Sequence, residues 1–263
     1  MLQFTAFRPF GFCFLAVTLA ACVPTSQDLA TQKVSVAEEC VTGKCRFHNA
    51  PLQLQPDTVR IRGRLYDFNR LAATLQFTDG VGQDWEAPKT TLTDGASIPP
   101  IFVPIIGFPR EPEFEKAAAL HDAYCGVGNE DGPVYHDKTW QEVHRLLYDA
   151  LVADGTPPLK AKIMFAAVWL GGPRWYPNGK TDSTLETLSP GVKQAAMIKA
   201  MAYIGTKKPD MEQLVEYLIV QERQMLEKSD GAGQASLPQF PRDPNDPVTG
   251  PPSAVAPPTP LVP

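Results

Sequence analysis

Two histidines, His121 and His144, are the residues whose type and spacing best suit chemistry in this sequence. They lie in the segments A-A-L-H-D-A-Y and E-V-H-R-L-L-Y-D-A-L, and three of the four histidines of the chain fall between residues 121 and 144. A neutral imidazole near pH 7 can take a proton from water, which is the general-base role that histidine fills most often. The sequence therefore predicts a catalytic pair.

Two carboxylates accompany the histidines and add a candidate metal site. Asp94 lies in T-D-G-A-S-I-P, and Asp122 directly follows His121. Carboxylate oxygens suit a hard cation, so Asp94 and Asp122 are candidate ligands of Ca²⁺. Imidazole and carboxylate also suit zinc, for which the alternative ligand set is His121, Asp122 and His144. A local role for Asp94 stays open, because T-D-G is a common turn in which the carboxylate bonds nearby backbone amides.

Two amphipathic helices are expected to position the histidines. The first has an apolar stripe at helical spacing, formed by Phe114, Ala117, Ala118, His121 and Cys125. The second is expected to start near Asp137, a plausible N-cap, and to carry His144 until Gly155. If the two helices pack antiparallel, the histidines meet across the interface. A histidine on an apolar helix face is also often a hydrogen-bonded core residue, so a structural role stays open.

The surrounding pattern places strands before helices. Alternation predicts a strand from Thr58 through V-R-I-R-G-R-L-Y-D-F, and A-T-L-Q-F-T and W-E-A-P-K-T-T-L predict two more. Three helices are expected after the histidine helices: an all-apolar one from Pro157 to Gly171, one from Pro190 to Ile204 closed by Gly205, and an amphipathic one from Pro209 to Lys228. The predicted fold class is α+β, a small antiparallel sheet followed by a mainly helical core of about five helices.

The N-terminus has the order of a secretory signal, with Arg8, an apolar run to Ala21 and then Cys22. Leu19-Ala20-Ala21-Cys22 resembles the lipobox of bacterial lipoproteins, which implies acylation of Cys22 and attachment to a membrane through a lipid anchor. Val23 stands where that class has aspartate for inner-membrane retention, so the resemblance implies an outer membrane lipoprotein, periplasmic or surface-exposed. An ordinary cleaved signal with an incidental cysteine is the alternative.

Four segments are therefore expected. They are a signal peptide over 1–21, a spacer over 22–56, a single α+β domain over 57–229, and a tail over 230–263 in which ten of the 27 prolines lie. In an oxidising compartment Cys40 and Cys45 can close a small disulfide loop. Cys125 is then a buried apolar side chain or a free thiol near the site.

The charge of the chain limits its partners. The formal net charge of −5 becomes −6 once the segment with Arg8 is removed. A negative total argues against nucleic acid and against an anionic membrane surface as partners. A protein partner is not identified by the sequence.

The motifs T-D-G-A-S-I-P, A-A-L-H-D-A-Y, L-Y-D-A-L and A-A-V-W-L-G-G resemble the bacterial and phage family called domain of unknown function 1353, over about residues 65–172. That resemblance implies fold kinship and carries no established activity.

A second, weaker likeness is to bacterial phospholipase A2, which has a T-D calcium turn and an H-D helix. The likeness places Asp94 on the calcium turn, His121 as the base that activates water, and Asp122 as a calcium ligand. The aspartate that orients the histidine in that family falls close to His144 here. This is a serious departure, because histidine cannot supply the carboxylate that stabilises an imidazolium.

Two functions remain open at this point. The specific one is a His/Asp calcium-dependent hydrolase that cleaves an ester as phospholipase A2 does. The alternative is a non-catalytic envelope lipoprotein that binds an envelope component or a partner protein, with structural histidines. A filled core around both histidines favours the second, and an open cleft with converging carboxylates favours the first.

Overall fold

The computed structural model describes residue 40 and residues 44–64, 66–95, 98–106, 112–176 and 179–231, with side chains to residue 228. Within these ranges the strands precede the long helices, so the α+β fold class is confirmed. The expectations for the signal peptide, Cys22, most of the spacer and the tail from residue 232 lie outside the described residues.

Six strands form two small antiparallel sheets rather than one. They are β1 (Arg46–Phe47), β2 (Leu54–Val59), β3 (Phe68–Leu71), β4 (Leu75–Thr78), β5 (Asp84–Ala87) and β6 (Leu92–Thr93). The sheet orders are β1-β4-β5 and β2-β3-β6. Alternation of apolar and polar residues indicates where a strand lies, but it does not indicate which strand pairs with it. A single sheet was expected for this reason.

The strand predicted from Thr58 onward is wrong in its position. β2 ends at Val59, and the arginine-rich stretch after it is a turn in which Arg64 N–H donates to Ile61 O at 3.2 Å. Gly63 has a φ of 82°, which an extended strand does not use. Because β1 and the start of β2 lie before residue 57, the ordered fold includes part of the segment assigned to the spacer. A disulfide joins Cys40 to Cys45 beside β1.

Six α-helices follow the strands. They are α1 (Val103–Ile106), α2 (Glu115–Cys125), α3 (Trp140–Ala153), α4 (Pro158–Gly171), α5 (Pro190–Lys207) and α6 (Met211–Gly231). The prediction that the apolar helix α4 is central is confirmed, because it packs against α3, α5 and α6 and its residues 164–170 are all buried. The apolar stripe of α6 also packs on the domain. Among the described helices, none has the length and apolar character needed to cross a membrane.

Two helix ends differ from the expectation. The N-cap of α3 is Thr139 and not Asp137: Thr139 Oγ1 accepts from the N–H of Glu142, whose carboxylate accepts from the N–H of Thr139. This capping box satisfies two otherwise unpaired donors, which a lone Asp137 does not. α5 continues through Gly205 to Lys207 and stops at Lys208, which has a left-handed φ of 50°. A glycine inside a helix lowers its stability but does not end it.

Arg174 joins the end of α4 to α6. Its two Nη atoms donate to the carboxylate of Glu222 at 2.7 and 3.0 Å, and Nη2 also donates to Trp169 O at 2.8 Å. The guanidinium lies 4.2 Å from the ring centre of Trp140 on α3. Arg174 is only 4% exposed. Its guanidinium connects α3, α4 and α6 through hydrogen bonds and a stacked contact.

Asn129 joins the sheets to α2. Its Oδ1 accepts from Leu92 N–H at 2.8 Å, and its Nδ2 donates to Leu92 O at 2.8 Å and to Asp122 O at 2.9 Å. The side chain is buried, and it supplies the partners of both Leu92 backbone groups, while Asp122 O also accepts from Gly126 N–H. This contact holds β6, and the turn with Asp94 that follows it, beside the carboxyl end of α2.

We expect Asn129→Ala to lower the free energy of unfolding by about 2–4 kcal/mol, because it leaves the buried N–H and C=O of Leu92 without their side-chain partner. Asn49→Ala is the matched control: Asn49 also bonds backbone groups, of Gln76 and Thr74, but on the exposed surface. Urea unfolding of both variants measures the difference. If both substitutions lowered the free energy of unfolding by the same amount, burial of Asn129 would not determine the size of the loss.

Candidate functional site

The two predicted histidines meet in the core. His121 from α2 and His144 from α3 have Nε2 and Nδ1 3.0 Å apart, and their ring centres are 5.2 Å apart. The side chains are 1% and 0% exposed. A hydrogen bond between two imidazoles requires one ring to donate and the other to accept, so at most one proton lies between them. The sequence therefore predicted the pairing of these residues correctly.

Burial keeps both rings neutral. It lowers the pKa of His121 from 6.5 to about 3. It also lowers the pKa of His144 well below its ordinary value, with smaller contributions in the same direction from His121 and Arg174 and an opposing one from the Pro173 backbone. A ring that stays uncharged at pH 7 is compatible with a hydrogen-bonded core residue.

Cys125 is the third polar side chain of the cluster. Its Sγ lies 3.6 and 3.5 Å from Nδ1 and Nε2 of His121 and 3.4 Å from the His121 carbonyl oxygen. Burial, and secondarily the nearby Asp122 charge, raises the pKa of this thiol well above its ordinary value. The nucleophile in cysteine chemistry is the thiolate, and burial disfavours that form of Cys125.

Aromatic rings close the space around His144. Trp140 meets its ring edge-on with centres 5.5 Å apart, and Trp175 does so at 6.4 Å. Trp169 packs on Trp140 at 4.8 Å. On the remaining side the backbone of Gly172 is so close that a Cβ there would lie 3.2 Å from His144 Nε2. His144 is thus enclosed by packed side chains and backbone.

The two carboxylates lie at the ends of the elements that Asn129 connects. Asp122 is 5% exposed on the last turn of α2, where its carbonyl oxygen accepts from Gly126 N–H at 2.7 Å. Asp94 is half-buried in a turn with Gly95, whose φ is 105° and whose N–H donates to Thr93 Oγ1 at 3.4 Å. The bond within this turn is made by Thr93 Oγ1, so the predicted role of the Asp94 carboxylate in the turn stays a prediction.

Groups of possible metal ligands were compared within the part of the chain that the structure describes. There, no group of three or more His, Cys, Asp or Glu side chains is arranged to hold a metal ion. The calcium pair Asp94 and Asp122 and the zinc set with His121 and His144 stay predictions.

His136 has an unexpected place beside the pair. Its φ is 57°, its N–H donates to Tyr124 O at 3.0 Å, and its ring stacks between Tyr135 and Trp175 at 4.0 and 4.1 Å. Histidine tolerates this left-handed conformation better than most residues. The loop between α2 and α3 is therefore fixed by a backbone bond and an aromatic stack. Tyr135 precedes His136 in the sequence, but nothing there indicates Trp175 as the second stacking partner.

Comparison with known proteins gives relatives without an assigned activity. The family model described as "Protein of unknown function (DUF1353)" matches residues 69–168. The uncharacterized protein y4iH of Sinorhizobium fredii is 43% identical over 105 residues, which cover 40% of this chain and 41% of the relative. The uncharacterized protein y4jT of the same organism is 36% identical over 116 residues, 44% of this chain and 32% of the relative.

These matches cover only part of each protein. The aligned region spans about two fifths and one third of the two curated relatives. No solved structure matches the chain. The matched region runs from β3 to α4 and contains His121 and His144, close to the range of 65–172 expected from the motifs. This segment of the chain is therefore similar, by sequence, to the DUF1353 family of proteins of unknown function.

Proposed function

We propose that this chain is an outer membrane lipoprotein, anchored through Cys22, whose DUF1353 segment is a non-catalytic binding module with structural histidines. The observation that carries the proposal is the closed histidine pair, in which the two side chains are 1% and 0% exposed and bonded to each other. A filled core around the pair is the arrangement that distinguishes a scaffold from an open catalytic cleft.

Burial opposes catalysis by this pair in two ways. A general base must come within about 2.6–3.2 Å of the proton that it removes, and an enclosed ring offers a substrate no such approach. A base is also most effective when its pKa is near the working pH, whereas the pKa of His121 is lowered to about 3. The enclosure of His144 follows from the packing of Trp140 and Trp175 against it. The lowered pKa of His121 follows from the burial of its own side chain.

The anchor is supported by the sequence Leu19-Ala20-Ala21-Cys22 and by Val23 after it. Each methylene of an acyl chain buried in a bilayer contributes about 0.8 kcal/mol, so a multiply acylated cysteine holds a domain stably at the membrane. The domain then needs no spanning helix of its own. Its proposed location is the outer membrane, facing the periplasm or the cell surface.

One observation favours a second candidate, the calcium-dependent ester hydrolase. The 3.0 Å contact between Nε2 of His121 and Nδ1 of His144 is the geometry of a base and its orienting partner. In that function Asp94 and Asp122 would hold calcium, which stabilises negative charge on an ester oxygen when bound. His144, as the partner of the base, argues against this function. Burial, and secondarily the neighbouring His121 and Arg174, lower its pKa and so disfavour an additional proton on its ring.

The structural role predicts a loss of stability in acid. Between the ordinary pKa of 6.5 and the lowered value of about 3, the unfolded His121 binds a proton that the folded one does not. Stability is therefore present above pH 6.5 and falls as the pH drops, by up to about 1.4 kcal/mol per pH unit for each such histidine. Urea unfolding from pH 7 to pH 4 measures this slope.

His121→Gln is expected to reduce the acid slope, and His48→Gln, at an exposed position, is the matched control. If the parent chain keeps a constant free energy of unfolding between pH 7 and pH 5, the pair is not buried in neutral form.

Ion binding separates the two candidate functions. Calorimetry with calcium and with zinc should show no specific binding by the parent chain if the histidines are structural. Calcium affinity that Asp122→Asn removes and His121→Ala retains would contradict the proposal and support the hydrolase. Zinc affinity lost in both variants would instead show a transition-metal site.

Acylation is tested separately from the role of the histidines. We expect the parent chain, expressed in a Gram-negative host, to lose residues 1–21 and gain acyl chains at Cys22, as measured by intact mass and palmitate labelling. Cys22→Ser should abolish both and release the chain from the membrane fraction, while Cys125→Ser should change neither. A free thiol at Cys22 in the parent would contradict the anchor.

A further inference from the structure

The sequence beyond α6 contains a run of prolines with a regular spacing of three. Prolines occupy positions 238, 241, 244 and 247 in the stretch L-P-Q-F-P-R-D-P-N-D-P, which is the longest run of this spacing in the chain. A polyproline II helix has three residues per turn, so the spacing places all four prolines on one side of such a helix. We name residues 238–247 the proline repeat. Its sequence is typical of P-x-x-P segments that bind aromatic surfaces.

The proline repeat is tethered close to the surface of α6. Tyr217 lies 14 residues before the end of that helix at Gly231, which is about 21 Å along the helix axis. The seven residues from Gly231 to Pro238 can span up to about 25 Å, and Gly233 among them permits a reversal of the chain. The repeat is therefore long enough and near enough to return along α6 and reach Tyr217.

Two stacked tyrosines lie where α5 packs on α6. The rings of Tyr203 and Tyr217 have centres 4.0 Å apart and an interplanar angle of 3°, and both side chains are half-buried. The hydroxyl of Tyr217 donates to Lys199 O at 3.4 Å, which holds its ring against α5. Aromatic rings that are already fixed lose little freedom when a ligand packs on them, so the pair is a preorganised surface.

The same side of α6 continues this surface toward the tail. Val220 follows Tyr217 by about one turn and is 44% exposed, although its side chain is apolar. Gln224 lies one turn further and is half-buried. A polyproline II segment has no internal hydrogen bonds, so its carbonyl oxygens can accept from a side-chain amide such as that of Gln224. We name Tyr203, Tyr217, Val220 and Gln224 the tyrosine face.

We propose that the proline repeat of this chain docks on its own tyrosine face. Aromatic-lined surfaces bind P-x-x-P segments because proline rings pack on aromatic rings and the polyproline II conformation is already formed before binding. A short tether also gives the repeat an effective concentration on the order of millimolar at this face. The repeat of the same chain is therefore favoured over that of a second copy. The contact goes beyond the proposed function, which assigns no occupant to this surface.

Trypsin cleavage after Arg242, inside the repeat, measures docking in the full chain. A docked segment is cut only when it opens, so the rate reports the undocked fraction. We expect Tyr203→Ser combined with Val220→Ser to raise the rate of this cleavage at least about tenfold. The matched control is Tyr176→Ser combined with Val81→Ser, two residues that are 49% and 59% exposed elsewhere on the chain. It should leave the rate unchanged, and circular dichroism confirms that each variant is folded.

A second measurement leaves every residue of the tyrosine face in place. The full chain is labelled with fluorotyrosine, and fluorine resonances of the parent are compared with those of Pro241→Ala combined with Pro244→Ala. We expect the Tyr203 and Tyr217 resonances to move in this variant, because the packed proline rings are lost. The resonance of Tyr176, an exposed tyrosine outside the face, should stay in place.

The matched control for the tail is Pro251→Ala combined with Pro252→Ala. These two prolines follow the repeat without keeping its spacing, so their loss should move none of the three tyrosine resonances. Substitution of each tyrosine by phenylalanine assigns the signals.

Four results would overturn the proposal. They are an unchanged cleavage rate in the Tyr203 and Val220 variant, an equal increase in its control, unmoved Tyr203 and Tyr217 resonances in the repeat variant, and protection of Arg242 that grows with protein concentration. The last result would show docking on a second copy. Neither readout depends on acyl chains or on the histidine pair, so failure of this proposal and failure of the proposed function are distinguishable.

Discussion

The hydrogen bond between His121 and His144 is the constraint around which the domain is built. Each ring would leave a buried polar atom without a partner if the other moved away, at a cost of about 1–3 kcal/mol. The 3.0 Å contact therefore fixes the position of α2 relative to α3. The loop between these two helices is held in place by the hydrogen bond from His136 N–H to Tyr124 O.

The remaining polar contacts of the core extend this arrangement in two directions. Asn129 connects α2 to β6 through backbone groups of Leu92 and Asp122. Arg174 connects the end of α4 to α6 through Glu222 and lies over Trp140, which itself packs against His144. Buried polar groups of this kind favour this arrangement of the helices, because separating them would remove the bonds that Asn129 and Arg174 make. In this arrangement the side chains of His121 and His144 are buried.

The sequence was informative where periodicity alone decides the structure. The apolar run of α4 predicted a central buried helix, and the stripes of α2 and α3 predicted that His121 and His144 would meet. Helix ends were less predictable, because Asp137 has the chemistry of an N-cap but Thr139 makes the reciprocal bonds with Glu142. Gly205 likewise has the character of a terminator, although α5 continues through it.

The parts of the site that the sequence did not reveal depend on contacts between distant segments. Asn129 is an ordinary loop residue until β6 lies beside it, and Trp175 closes the site from beyond α4. Whether the two histidines are enclosed depends on packing in three dimensions, which the sequence does not show. The sequence alone was therefore compatible with a catalytic pair and with a contact in the core. The structure favours the core contact, and the motif similarity to a family of unknown function does not alter that balance.

Nuclear magnetic resonance of the histidine ring nitrogens can test whether His121 and His144 form a buried, neutral pair. The chain is labelled at histidine and followed from pH 7.5 to pH 5, with His121→Gln and His144→Gln used to assign the signals. We expect His121 and His144 to stay neutral throughout, with a slowly exchanging ring N–H and a scalar coupling across the bond between them. Titration of both rings near pH 6.5 with rapid solvent exchange would contradict it, because it would show an open and hydrated site.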